Sequence, residues 1–183
     1  MLNRRHRGFT LVELMVVLAI IAILLILGTP LFSTFVANSR IRTAAEVFAN
    51  ALSQARIEAI KRNEPVEFLM SSGWLVCTVA DSAAGNCAQG NAAVLFQGAG
   101  KEGTSEVTVT ATPSGATRIT FDQLGNIIAV SPIDSSAALT QVDIDVPGGS
   151  SVNSTPLRVL IETGGGVHLC NPAVSSPNPE ACV

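Results

Sequence analysis

The chain has 183 residues, with 11 lysines and arginines against 14 aspartates and glutamates, so it is mildly acidic. That length holds one globular head with its own core beside a long helix, and nothing suggests a second domain. With two histidines and no P-loop, GxSxG, HExxH or GxGxxG pattern, the sequence lacks the common signatures of hydrolases and nucleotide-binding enzymes, and we read no catalytic constellation in it.

The first element is an apolar run from Phe9 to Leu27, preceded by Arg4, Arg5 and Arg7 and holding one carboxylate, Glu13. As a helix it reaches about 28 Å, the thickness of a bilayer's hydrocarbon core. A carboxylate in such a segment costs about 2.5–3.5 kcal/mol on insertion, so Glu13 implies a function or a partner. Cleavage after Gly8 supplies one: the new α-amino group of Phe9 on a neighbouring subunit, buried against Glu13 as a device of register. A secretory signal has a shorter apolar region and a small-residue cleavage site, whereas Gly28, Thr29 and Pro30 follow here. An ordinary membrane anchor explains the length but not Glu13.

The leader, Gly8 and the stretch Phe9, Thr10, Leu11, Val12, Glu13 resemble the class III signal of type IV prepilins and type II secretion pseudopilins. The resemblance implies a prepilin peptidase that cuts between Gly8 and Phe9 and methylates Phe9, and a Glu13 that pairs with Phe9 of a neighbour in the filament. It divides the chain into a leader (1–8), a transmembrane and polymerisation helix (9–30), an amphipathic continuation (31–64) and a β-rich periplasmic head (65–183). The arginines place the N-terminus in the cytoplasm and the head beyond the inner membrane.

Past Pro30, where a kink is expected, Ile41, Ala45, Phe48, Leu52, Ala55 and Ala59 recur at helical spacing and form a stripe that packs on the head. Asn63 and Pro65 end this helix near Arg62. The strand candidates are 66–70, 74–79, 93–96, 107–111, 118–121, 127–130, 141–146, 157–161 and 167–170. Several alternate with period two, as Val142, Ile144 and Val146 do against Asp143 and Asp145. Asp143 and Asp145 fit a solvated face; calcium has no other support. Ser71–Gly73 and Gly125–Asn126 read as hairpin turns, and the glycine run 164–166 as a turn rather than a phosphate cradle. The expected fold class is α+β: a long N-terminal helix packed on a mostly antiparallel sheet.

An oxidising periplasm allows the four cysteines to form two disulfides. Three pairings exist; Cys77 with Cys87 and Cys170 with Cys182 are the local ones. Zinc is the alternative, but no CxxC pair occurs and only His168 is near. No metal or cofactor is expected.

A narrower resemblance lies in ALSQARIEAIKRNEPV (51–66), Gly73 with Trp74, ITFDQLG (119–125) and the segment from Arg158 to Cys182 with its two cysteines. These resemble the GspH/FimT family of minor pilins and pseudopilins. The family implies other minor and major pilins and the inner-membrane assembly platform as partners, in pilus assembly and twitching motility, in type II secretion, or in DNA uptake. Charge argues against DNA: without the leader, eight basic residues face 14 acidic ones, and from Pro65 onward three face 10. Where DNA-binding relatives are expected to carry arginines, this chain has Gly165, Gly166, Val167 and His168, so His168 is the one weak nucleic-acid contact available. A minor type IV pilin is the reading adopted, with a type II pseudopilin next.

Overall fold

Thr10 opens the long helix: its hydroxyl accepts the backbone N–H of Glu13 at 3.2 Å, the usual role of an N-cap threonine. The computed structural model describes residues 10–71, 73–99, 107–148 and 153–182, with residues 27–31 and 99 as backbone only. Helix α1 runs unbroken through Leu11–Arg62, 52 residues, or about 78 Å. It passes Pro30 without a break, because a proline withholds one N–H and the turns on either side carry the helix on. It ends where Asn63 adopts the left-handed conformation (φ 53°) and returns its N–H to Ala59 and Ile60, with Lys61 and Arg62 at the negative end of the helix dipole.

Two antiparallel sheets wrap the second half of α1. The first has the order β3-β2-β1-β5-β6 and the second β4-β7-β8-β9. Strands β1 (Val66–Met70), β2 (Gly73–Thr78), β3 (Phe96–Ala99), β5 (Arg118–Phe121) and β6 (Ile127–Ile128) form the first. Strands β4 (Thr108–Thr112), β7 (Gln141–Asp145), β8 (Leu157–Ile161) and β9 (Val167–Cys170) form the second. The predicted strands 66–70, 118–121, 157–161 and 167–170 match in full. That expected at 93–96 lies further on, at Phe96–Ala99, because Asn91 caps a turn ahead of it. The strand 127–130 shrinks to two residues, and Val79 leaves β2 to start the short helix α2 (Val79–Ala83), capped by Thr78.

The predicted stripe is the core. Ile41, Ala45, Phe48, Leu52, Ala55 and Ala59 are all buried, together with Val66, Phe68, Ile119, Phe121, Leu139, Val142, Ile144 and Val159 from the sheets. Each fully buried large side chain contributes about 1.5–3 kcal/mol relative to exposure. Ala51, Ala55 and Ala59 let β1 and β8 approach the helix axis. Phe68 joins the helix to the first sheet, edge-on to Phe48 and stacked with Trp74, both at 6.3 Å between ring centroids. Trp74 lies across Gly98, where a Cβ would fall 2.3 Å from its Nε1, so only glycine fits beneath it.

Candidate functional site

Two regions bear on function: the helix that projects from the head and the two ends of the head itself. From Leu11 to Ile26 every α1 residue is exposed, and all but Glu13 are apolar. Aliphatic side chains cover the whole circumference, as in a helix meant to be surrounded by other apolar groups. Glu13 stands exposed in the first turn. Gly8 and Phe9, and with them the expected cleavage, methylation and pairing sites, lie outside the described residues. Among the described residues no helical stretch is long and apolar enough to cross a membrane; the predicted run starts at Phe9 and ends at Leu27, beyond the described side chains.

At the end of the head furthest from this projection, two turns meet on the helix. Asp122 accepts the N–H groups of Leu124 at 2.9 Å and Asn126 at 2.8 Å, closing the β5–β6 turn in which Gly125 has φ +80°. Burial pushes the Asp122 carboxyl up, but those N–H groups outweigh it and hold its pKa below the usual value. Gly125 O accepts the Arg56 side chain at 3.0 Å, and Ile127 N–H bonds Thr163 O at 3.2 Å. The β8–β9 turn follows through Gly165 (φ +76°), where a Cβ would lie 2.0 Å from Gly125 O. That contact leaves no room for an arginine at position 165. His168 stands beside it, exposed, with Nε2 3.3 Å from Glu162 Oε1; the carboxylate makes this a poor place for a phosphate.

At the opposite end, Asn38 Oδ1 accepts the N–H of Thr155 at 2.8 Å, tying α1 to the start of β8. The C-terminal loop folds back so that Asn171 N–H donates to Glu180 O at 2.7 Å, and Cys170 is bonded to Cys182. Cys77 is bonded to Cys87 across α2. Among the described residues no cluster of His, Cys, Asp or Glu is arranged to hold a metal. Asp143 instead pairs with Arg158 at 2.5 Å, and Asp145 accepts from Ser154.

One cluster went unread in the sequence. Glu67 is fully buried, 3.0 Å from Arg118, and accepts the Ser82 hydroxyl of α2; Arg118 in turn reaches Asp134 at 2.9 Å. Glu67 sits on the face of β1 opposite Val66 and Phe68, which alternation assigns to solvent. The signal was an opposite charge at Arg118, meaningful only once β1 is paired with β5 in the observed register, with Arg118 beside Leu69. At the end of α1, Arg62 at 2.7 Å and Lys61 at 3.0 Å hold the Glu58 pKa below its usual value.

The chain matches the family described as type II transport protein GspH over residues 44–165, about two thirds of its length, and the prokaryotic N-terminal methylation motif over residues 3–29. No curated protein matches it. Among solved structures it resembles a crystal structure of the type IV minor pilin FimU from Pseudomonas aeruginosa. The identity is 18%, the TM-score 0.52, and the alignment covers 81% of this chain and 99% of that one. A second crystal form of FimU aligns at 17% identity and a TM-score of 0.48, over 78% and 99% of the two chains. At such identity the likeness speaks for the fold alone, a long helix on antiparallel sheets. The methylation motif in front of that helix, and a family match running from the buried stripe of α1 to the glycine turn at Gly165, lead to one conclusion: the chain belongs to the GspH family of minor pilins and pseudopilins.

Proposed function

We propose that this protein is a minor type IV pilin that takes part in pilus assembly, and that it works as a structural subunit rather than as an enzyme. The observation that carries this reading is the first half of α1, apolar around its whole circumference, bearing one carboxylate and placed directly behind a methylation motif. In this reading a prepilin peptidase cuts between Gly8 and Phe9 and methylates Phe9. The helix is held in the inner membrane with Arg4, Arg5 and Arg7 in the cytoplasm and the head in the periplasm. It then leaves the membrane to pack among the helices of other pilins, where Glu13 meets the amine of Phe9 on a neighbour.

Mass spectrometry of the N-terminal peptide tests the first step. A methylated Phe9 is expected; an intact Met1, or cleavage after residue 28, refutes the reading. Glu13→Ala is expected to keep membrane insertion and lose incorporation into filaments, and a variant that enters filaments as well as wild type refutes the pairing.

The family's description as a type II transport protein favours a second reading, a pseudopilin of type II secretion. A deletion strain separates the two: loss of twitching motility supports the pilus, and loss of exoprotein secretion the pseudopilus. DNA uptake has less support, since His168 faces Glu162 and Gly165 has no space for a basic side chain.

A further inference from the structure

The outer face of the first sheet carries a second buried patch, apart from the core around α1. Glu67, Cys77 and Thr120 lie on it, each at most 1% exposed; Glu67 stands directly opposite Cys77 on β2 and Thr120 on β5. Residues 79–95, which are α2 and the loop after it, lie over Glu67 and Cys77. Not one residue of this segment is itself buried, and its middle is small or polar, DSAAGNCAQGNAA. Such a segment gains little from packing, and a helix of five residues does not hold itself.

Backbone bonds fix its two ends: Val79 N–H donates to Pro65 O at 3.0 Å, and Leu95 N–H to Val76 O at 2.8 Å. Between those ends, among the described residues, Ser82 donates its hydroxyl to Glu67, with a nitrogen of Arg118 3.5 Å from the same hydroxyl. Gly90 N–H donates to the Gln97 side chain at 2.9 Å, in an exposed bond. The Cys77–Cys87 bond is the covalent tie, and it fastens the middle of the segment to the strand beside Glu67.

We propose that residues 79–95 form a redox-sensitive cover, which seals the buried Glu67–Arg118 pair while Cys77 and Cys87 are bonded and swings clear when they are reduced. Cys77 is fully buried and Cys87 half-buried, so a dithiol reaches the bond from the Cys87 side. Thiol–disulfide exchange leaves thiols on Cys77 and Cys87, while the dithiol closes to its own disulfide. With the staple open, only hydrogen bonds offset the entropy of ordering the segment, and it opens about its two backbone ends. Water then reaches Glu67. Its pairing with Arg118, which ties β1 to β5 and continues to Asp134, loses the low dielectric that strengthens it. Oxidation thereby completes the head without changing its main core, and this holds independently of the filament reading.

Hydrogen exchange of the full-length protein in detergent is the test, with wild type compared to a Cys77→Ala, Cys87→Ala double variant. Amides of residues 82–91 are expected to exchange about a hundredfold faster in the variant, while those of β8 and of α1 within the head stay within about threefold. Carbodiimide with glycine ethyl ester is expected to modify Glu67 in the variant and in wild type reduced with dithiothreitol, and to spare it in oxidised wild type. Reoxidation of the wild type is expected to restore both readings. Ser82→Ala keeps the staple and is expected to raise exchange over the cover by less than about tenfold. Unchanged exchange over residues 82–91 in the double variant, or a Glu67 that stays unreactive there, overturns the proposal. A Ser82→Ala cover as open as that of the double variant overturns it too, since the hydrogen bond and not the staple would be holding it. Loss of protection throughout the head, or failure of the double variant to fold, also overturns it, because a cover without a buried residue is dispensable to the core.

Discussion

Gly165→Ala isolates the contact that joins the two sheets at the far end of the head. Two costs arise. An alanine at φ +76° costs about 1 kcal/mol relative to glycine, since a left-handed conformation presses Cβ against the backbone. The new methyl also falls 2.0 Å from Gly125 O, a backbone atom that moves only if the β5–β6 turn moves. That shift strains or breaks the 3.0 Å bond from Arg56 to Gly125 O, and a hydrogen bond from a charged donor is worth about 1.5–3 kcal/mol. The total is about 3 kcal/mol, or a fall in Tm of about 10 °C for a chain of this size. Circular dichroism of the full-length protein in detergent measures it. Gly164→Ala is the control, because a Cβ there meets nothing within 4 Å, and its Tm is expected to stay within about 2 °C. Since the loss passes through Arg56, Gly165→Ala and Arg56→Ala are expected to be non-additive, the double variant costing less than the two singles together. Equal melting temperatures for Gly164→Ala and Gly165→Ala would refute the argument.

Three further outcomes follow from the same structure. Arg118→Met leaves the Glu67 carboxylate buried without its partner and is expected to cost about 3–5 kcal/mol, with Glu67→Gln added to it recovering part of the loss; denaturant unfolding of the three proteins decides this. Replacing Cys170 and Cys182 by serine opens a loop of 12 residues and is expected to cost about 3 kcal/mol, read as a shift in the denaturant midpoint. Glu58 and Asp122 have pKa values held below their ordinary 4.5 and 3.8, so their contribution is complete above about pH 4.5 and is lost as the pH falls through the lowered values; a melting temperature that does not fall between pH 5 and pH 3 refutes this.

Much of this fold is local and was readable along the chain. The stripe from Ile41 to Ala59 is buried because a period of 3.6 on a helix, packed against sheets, admits few arrangements. Asn63 before Glu64 and Pro65 ends α1 because one residue type tolerates the left-handed cap and the next two disfavour further helix. Strands β1, β5, β8 and β9 alternate cleanly or end at turn residues, and so they were legible. Helix α2 was not, because five residues capped by Thr78 leave no periodic trace. Nor was β3, whose short run of Phe96, Gln97, Gly98 and Ala99 takes its place from β2.

The N-terminal motif is a pure sequence property. A peptidase reads residues in order along the chain, so the basic leader, Gly8, Phe9 and Glu13 identify the subunit type before any fold is considered. The groups that give the head its particular surface are of another kind. Glu67 and Arg118 stand 51 positions apart, Arg56 and Gly125 stand 69 apart, and Asn38 and Thr155 stand 117 apart. The first pair exists only because β1 is paired with β5, and the other two because distant turns are brought onto α1. Local pattern fixes which elements form, through propensity and burial, but no local pattern encodes which turn lands beside which. For that reason the sequence alone declared a filament subunit of this family, while the buried Glu67–Arg118 pair, the tie of Asn38 to Thr155 and the glycine contact at Gly165 were decided by tertiary packing.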